Sequence, residues 1–244
     1  MQTCCLIPCY NAAPYLKRCL RSTHEFDRTI LWDDGSTDQS LQIALQFPHV
    51  EVYSSHHEGV QATRNKLYEH SQGYDLIAYL DADDCRFPGG LAEAKAVLKT
   101  QPHVDAIYSP IIINGHSIPT PPDIIHAILS IGVQTNGFLI RRSAIARAQE
   151  QLGYVWRDVP IRHEHFLAFD LLRTGTHFQH IPVPAAVYHP NIGFSHKLDG
   201  QVFLAAYNQL TREIKDYLGD RWQAYDRIAH QAETSFRHWV ANSY

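Results

Sequence analysis

The sequence predicts an α/β fold, a mostly parallel twisted sheet with helices on both faces, and three observations carry that expectation. Short apolar runs alternate with helical segments along the N-terminal half. Two of those runs end abruptly in acid, at Trp32-Asp33-Asp34-Gly35-Ser36-Thr37-Asp38 and Leu80-Asp81-Ala82-Asp83-Asp84, the pattern of a buried parallel strand emptying into a loop. Finally, 244 residues at 45% hydrophobic and 19% charged are enough for one full core, without repeats or low-complexity tracts. In open α/β sheets, ligands bind at the carboxyl edge of the strands, where both acidic clusters would fall.

The elements follow in order. Residues 4–8 read as a strand, and 13–22 as a helix with Pro14 in its first turn, where the missing N–H costs nothing. A strand is expected at 29–32 and a helix at 37–46, with Ser36 or Thr37 as its cap. Strand 50–53, helix 60–70, strand 76–80 and helix 89–99 behind Pro88 continue the βαβα series. Beyond 105–113 the order loosens, and 114–122, with Asn114-Gly115 and three prolines, reads as a loop that could cover a site. A strand is expected at 137–140, a helix at 164–173 stopped by Gly175, and one or two proline-interrupted strands at 177–187. From 199 to 240 the pattern is purely helical, with apolar steps through Phe203, Ala206, Leu210 and Ile214, then Trp222, Tyr225, Ala229, Phe236 and Trp239.

Charge and cysteine content exclude several classes. A net charge of −4 argues against a nucleic-acid partner. No apolar run approaches a membrane span, and the N-terminus lacks the basic and apolar regions of a signal peptide, so a cytoplasmic location is expected. Cys4, Cys5, Cys9, Cys19 and Cys85 are an odd set, four of them crowded into the first strand and helix, and read as reduced packing residues. The apolar stripe of the tail admits three uses: packing on the parent domain, which is favoured, a homodimer interface, or contact with the inner face of a membrane. The last is weakened because Asp220, Asp226 and Glu233 balance Arg221, Arg227 and Arg237.

The acidic clusters suggest chemistry directly. In an extended segment Asp81 and Asp83 point to the same side, and paired carboxylates with phosphate oxygens and water suit Mg²⁺ or Mn²⁺. Either cluster alone would also serve as a solvated turn or helix start.

Taken together, Pro8-Cys9-Tyr10-Asn11, Asp33-Asp34-Gly35-Ser36-Thr37-Asp38, Gly59 with Thr63-Arg64-Asn65, and Leu80-Asp81-Ala82-Asp83-Asp84 resemble, in order and spacing, glycosyltransferase family 2, which has the GT-A fold. Gln134 to Arg142, and His163-Glu164-His165-Phe166 followed by Gly175, are similar to that family's acceptor-side segments. The resemblance covers about residues 3–190. It implies a GT-A domain over 1–198, with a nucleotide-sugar-binding half (1–110) and an acceptor-side half (111–198), followed by a C-terminal helical extension (199–244).

The function it implies is metal-dependent, inverting transfer of a sugar from a nucleotide diphosphate, by default UDP, to a hydroxyl of a glycan or lipid-linked glycan in surface-polysaccharide or other glycan biosynthesis. Asp33 or Asp34 would accept from the base's imide N–H, Arg64 would lie against the base or phosphates, and Pro8, Tyr10 and Asn11 would form the opposite wall. Asp81, Ala82 and Asp83, with Asp84 as a further candidate, would meet the ribose, diphosphate and Mn²⁺ or Mg²⁺, with Asp83 the direct metal ligand. Glu164 would be the general base: the family often presents Glu-Asp here, this chain has His163-Glu164, and counting back from Gly175 places Glu164 at the acting position. His189 and His196 could reach the metal or diphosphate, or be satisfied structural histidines. Two alternatives are a sugar-phosphate nucleotidylyltransferase, opposed by the absence of glycine and lysine from Pro8-Cys9-Tyr10-Asn11-Ala12-Ala13, and a catalytically inactive nucleotide-sugar-binding protein.

Overall fold

A computed structural model describes residues 1–130, 133–189 and 200–241, with side chains to residue 238. The expected strand at 4–8 is β1 (Thr3–Cys9), buried at every position, which is why its sequence shows no alternation. After α1 (Ala13–Arg21), which buries Leu16, Cys19 and Leu20, come β2 (Arg28–Asp33), α2 (Ser40–Ala44), β3 (Val50–Ser54), α3 (Val60–His70) and β4 (Leu76–Tyr79). The chain continues through β5 (Cys85–Arg86), α4 (Gly90–Thr100), β6 (Ala106–Tyr108), β7 (Ile111–Ile113), β8 (His116–Ile118), α5 (Ile124–Leu129), β9 (Phe138–Arg141) and α6 (Arg142–Leu152). It closes with α7 (His163–Arg173), β10 (Phe178–His180), β11 (Ala186–Tyr188), α8 (Gly200–Leu218) and α9 (Asp226–Ala241).

The main sheet has seven strands in the order β10-β6-β9-β4-β1-β2-β3. β1 pairs in parallel with both β2 and β4, so the chain winds one way through β2 and β3 and then returns to the other side of β1. That reversal makes a switch point at the carboxyl end of β1, flanked by the ends of β2 and β4, where both acidic clusters lie. Only β9 runs against its neighbours β4 and β6.

Several expectations are corrected. The helix expected over 37–46 is reduced to Ser40–Ala44, and neither Ser36 nor Thr37 caps it. Both residues bond across to the β1–α1 loop instead: Ser36 Oγ accepts from Asn11 N–H, and Thr37 donates to Asn11 Oδ1 from its backbone N–H at 2.8 Å and from Oγ1 at 3.3 Å. The loop expected over 114–122 contains β8, which forms a hairpin with β7 across Asn114-Gly115, both at positive φ. That hairpin, β5 and β11 form a second, four-stranded sheet. The segment leading into β11 approaches α4 so closely that a Cβ at Gly90 would fall 2.3 Å from the Pro184 carbonyl oxygen.

The tail packs in cis. Ala206, Leu210, Ile214 and Leu218 of α8, with Trp222 and Ala229, are buried in the same apolar cluster as Tyr79, Phe166 and Phe169 of the sheet and α7. The side chain of Trp239 lies outside the described residues. All five cysteines are free and buried, and burial pushes the Cys4, Cys5 and Cys9 thiols up to about 12.

Candidate active site

The carboxyl ends of β1, β2 and β4 open on a cavity of about 660 Å³, whose far side is built by the start of α7 and by the C-terminal helices. Pro8, Tyr10 and Asn11, in the turn leaving β1, form one wall. Asn11 is held at φ 51° by its bonds to Ser36 and Thr37. Tyr10 stacks on His57 with ring centres 4.1 Å apart, leaving the phenol 47% exposed at the rim.

β2 delivers the aspartate pair, and the structure separates its members. Asp33 is buried inside the turn, accepting from Ser36 N–H at 3.1 Å, and does not line the cavity. Asp34 does line it. Its carboxylate accepts from Glu58 N–H and Gly59 N–H at 2.8 and 2.9 Å and lies 2.9 Å from His57 Nδ1. Gly35 lets this turn close: it sits at φ 74°, and a Cβ would fall 2.8 Å from His57 N. Of the two aspartates, the structure brings Asp34 and not Asp33 to the cavity, because strand alternation turns Asp33 away from the opening.

At the end of β4, Asp81, Ala82 and Asp83 all face the cavity. Arg64, from the first turns of α3, is nearly fully buried, donates from Nη2 to Asp81 Oδ1 at 2.7 Å and lies 4.5 Å over the Trp156 ring, while its Nε and Nη1 have no partner. Burial, and secondarily the Asp81 charge, push the Asp83 carboxyl up to about 6. Asp84 turns inward: burial and its two acidic neighbours push it up to about 8, and it accepts from the Asn136 amide and from His189 N–H. Two cavity-facing carboxylates, with Arg64 paired to Asp81 and Arg18 bonded to the Asp83 carbonyl at 3.1 Å, suit a hard divalent cation completed by phosphate oxygens and water.

His189 is not brought into that pair. Its backbone is bonded to Asp84, its Nδ1 lies 3.7 Å from Asp84 Oδ1, and it is absent from the cavity lining. Among the described residues no group of three or more His, Cys, Asp or Glu is placed to hold a metal. His196 lies outside the described residues.

Glu164 stands across the cavity in the first turn of α7, its side chain 21% exposed. Burial opposes its ionisation, but the neighbouring His165, with Nδ1 3.2 Å from Glu164 Oε1, and His163 outweigh it and hold the carboxyl well below the usual range. His165 itself is pushed down to about 4, first by burial and then by the Arg162 charge. His163 Nε2 lies 2.9 Å from the Val159 carbonyl and 2.8 Å from the Gln61 amide, fixing the entry to the helix.

A model of the family described as Glycosyl transferase family 2 matches residues 4–169. The chain belongs to that family. Its matched segments are similar to an uncharacterised glycosyltransferase, YibD, of Escherichia coli (34% identical over 91 residues, 34% of this chain and 26% of that protein). They are also similar to a chondroitin synthase of Pasteurella multocida (32% identical over 88 residues, 32% of this chain and 9% of that protein). The chain thus spans about a quarter of the first relative's length and less than a tenth of the second's. Among solved structures, residues 1–349 of S. aureus TarS in complex with UDP-GlcNAc superpose with a TM-score of 0.71 at 18% identity, over 94% of this chain and 70% of that one. The fold is therefore the GT-A type of family 2, and the family sets aside the nucleotidylyltransferase alternative.

Several residues of the site are not legible from motifs alone. Asn136, 1% exposed, ties the acidic loop down, accepting from Asp81 N–H at 2.8 Å and donating to Asp84, while Arg86 donates to the Asn136 carbonyl at 2.8 Å. The resemblance assigns Gln134 to Arg142 to the acceptor side, whereas within that segment Asn136 bonds to the acidic loop. Trp156 supports Arg64, and Phe203 and Phe236 reach the cavity from the tail. Only their aromatic character, shared with any core residue, was available as a signal.

Proposed function

We propose that this chain is a metal-dependent, inverting glycosyltransferase that moves a sugar from a nucleotide diphosphate, by default UDP, to an acceptor hydroxyl. The observation that carries the reading is the single cavity with Asp34, Arg64, Asp81 and Asp83 at strand ends on one side and an ionised Glu164 on the other. The nucleotide is supported by TarS, whose fold this chain shares and whose structures contain UDP and UDP-GlcNAc. A role in polysaccharide or other glycan assembly is supported by relatives named chondroitin synthase and hyaluronan synthase.

In this reading the nucleoside lies between the Pro8–Tyr10–Asn11 wall and Asp34, which accepts from the base N–H. Arg64, with two unpartnered guanidinium nitrogens, faces the phosphates. Asp83, with Asp81 beside it, would hold Mn²⁺ or Mg²⁺, which supplies charge neutralisation for the departing diphosphate. Glu164 takes the proton of the acceptor hydroxyl as that oxygen bonds to the anomeric carbon. The bond from that carbon to the diphosphate oxygen breaks on the opposite face, and both electrons leave with the diphosphate. Attack from the face opposite the leaving group inverts the configuration.

The test is a donor panel of UDP-, GDP- and CDP-sugars with Mn²⁺, Mg²⁺ or chelator, reading nucleotide release with and without mixed oligosaccharide acceptors. Metal-dependent release from one donor class supports the reading. Silence with every donor, alongside intact nucleotide binding, favours the inactive nucleotide-sugar-binding alternative.

A further inference from the structure

The helix that carries Glu164 begins at Arg162, which sits in the left-handed region at φ 61°. Its guanidinium lies between two rings of the tail, 5.2 Å from the centre of Tyr207 on α8 and 5.0 Å from that of Phe236 on α9. Arg162 is 3% exposed yet lines the cavity, as do Phe203 and Phe236. Its Nε has no hydrogen-bond partner, and Nη2 makes one long bond, 3.5 Å, to the Ser130 carbonyl.

No carboxylate of the described residues lies within ion-pair distance of this guanidinium. The contrast with the neighbouring buried arginines is direct: Arg64 is paired with Asp81 at 2.7 Å, and Arg157 with Asp170 and Glu213 at 2.6 and 2.8 Å. Glu164, two residues on, is turned to His165, and Glu233 on α9 is taken by Arg237. Burying an unpaired cation is costly, and two aromatic faces offset only part of that cost. The remainder is offset if an anion arrives through the cavity.

Resting on the glycosyltransferase reading above, we propose that Arg162, walled by Tyr207 and Phe236, is an oxyanion subsite on the acceptor side of the cavity, binding a phosphate or carboxylate group carried by the acceptor. A guanidinium suits either group, because its fork matches two oxygens of both. The subsite lies with Glu164 rather than with the strand ends that face the donor, so the group it holds belongs to the molecule whose hydroxyl Glu164 deprotonates. The C-terminal helices then do more than cover the core: they supply the aromatic walls of the subsite.

The experiment uses the full chain saturated with UDP and Mn²⁺, titrated in separate arms with methyl phosphate and with glucuronate and read by ligand-observed NMR. At least one anion is expected to bind alongside UDP. Arg162→Gln should weaken that binding at least ten-fold and Arg162→Lys less, with UDP affinity unchanged in both. Binding in the methyl phosphate arm alone assigns a phosphate-bearing acceptor, and in the glucuronate arm alone a uronate-bearing one. Phe236→Leu, which keeps the charge and removes one ring, should weaken the same anion by about two- to five-fold, and it remains the test if the Arg162 variants do not fold. Neither anion binding beside UDP, displacement of the anion by UDP, or equal binding by Arg162→Gln would overturn the proposal. Failure of UDP itself to bind with Mn²⁺ would instead remove the donor reading on which it rests.

Discussion

Glu164 carries a carboxyl held below its usual range, so it is ionised at any ordinary assay pH and ready to accept a proton. Glu164→Gln preserves shape and hydrogen bonding but not basicity. It should keep UDP affinity while turnover falls by on the order of 10² to 10⁴. Turnover within a few-fold of wild type would move the role to Asp158, which lines the same cavity, or to His165. His165 gives a separate, structural prediction. Its folded pKa of about 4 lies below the ordinary 6.5, so the unfolded chain binds more protons between those values. The stabilisation is complete above about pH 6.5 and is lost as pH falls toward 4, on the order of 2 kcal/mol for a buried imidazole. Urea unfolding at pH 7 and pH 5 should show that loss in wild type and a smaller one in His165→Gln; parallel curves would contradict it. Asp34, Arg64, Asp81, Asp83 and Glu164 were readable because charge after a buried strand, or at a helix start, is costly without a use. Asn136 and Arg162 were not, because their roles depend on partners distant in sequence: Asp84 for one, Tyr207 and Phe236 for the other.

Helix α7 is fixed to α8 by a buried charge network rather than by apolar contact alone. Asp170, 2% exposed, accepts from Arg157 at 2.6 Å and Arg173 at 2.9 Å, and Arg157 reaches on to Glu213 of α8 at 2.8 Å. Asp170→Ala leaves Arg157 half of its partners in a buried setting, and a loss of about 3–5 kcal/mol in urea unfolding is expected. A change below about 1 kcal/mol would mean that water replaces the carboxylate. At this scale the βαβα series was legible because each buried strand and amphipathic helix announces its own period. Helices α5 and α6 were missed. The first has six residues and little room for periodicity, and the second follows β9 without a linker and buries only Ala144, Ile145 and Ala148. The β7–β8 hairpin was signalled by Asn114-Gly115 but hidden by the prolines that follow.

In the whole molecule, the tail and the sheet share one core, with Leu210, Ile214, Leu218 and Trp222 buried beside the α7 face. Removing residues 200–244 should leave an aggregating or much less stable chain, read by solubility and by the urea midpoint. A truncated chain that stayed soluble and equally stable would show that the tail is dispensable to the core. The apolar stripe was legible, and its favoured destination, the parent domain, is where it packs, although periodicity alone marks a buried face without naming what buries it. No helix among the described residues is long and apolar enough to cross a membrane. In the proposed reading the nucleotide binds at the acidic strand ends, where Asp81 and Asp83 face the cavity with Arg64 and Arg18 beside them. The most direct measurement is therefore calorimetric titration of UDP into the full chain, with Mn²⁺ and then with excess chelator. Binding at least ten-fold tighter with Mn²⁺, and Asp83→Ala with metal resembling the chelated wild type, is the expected result; equal affinity in chelator, or no binding of UDP in Mn²⁺, would contradict it.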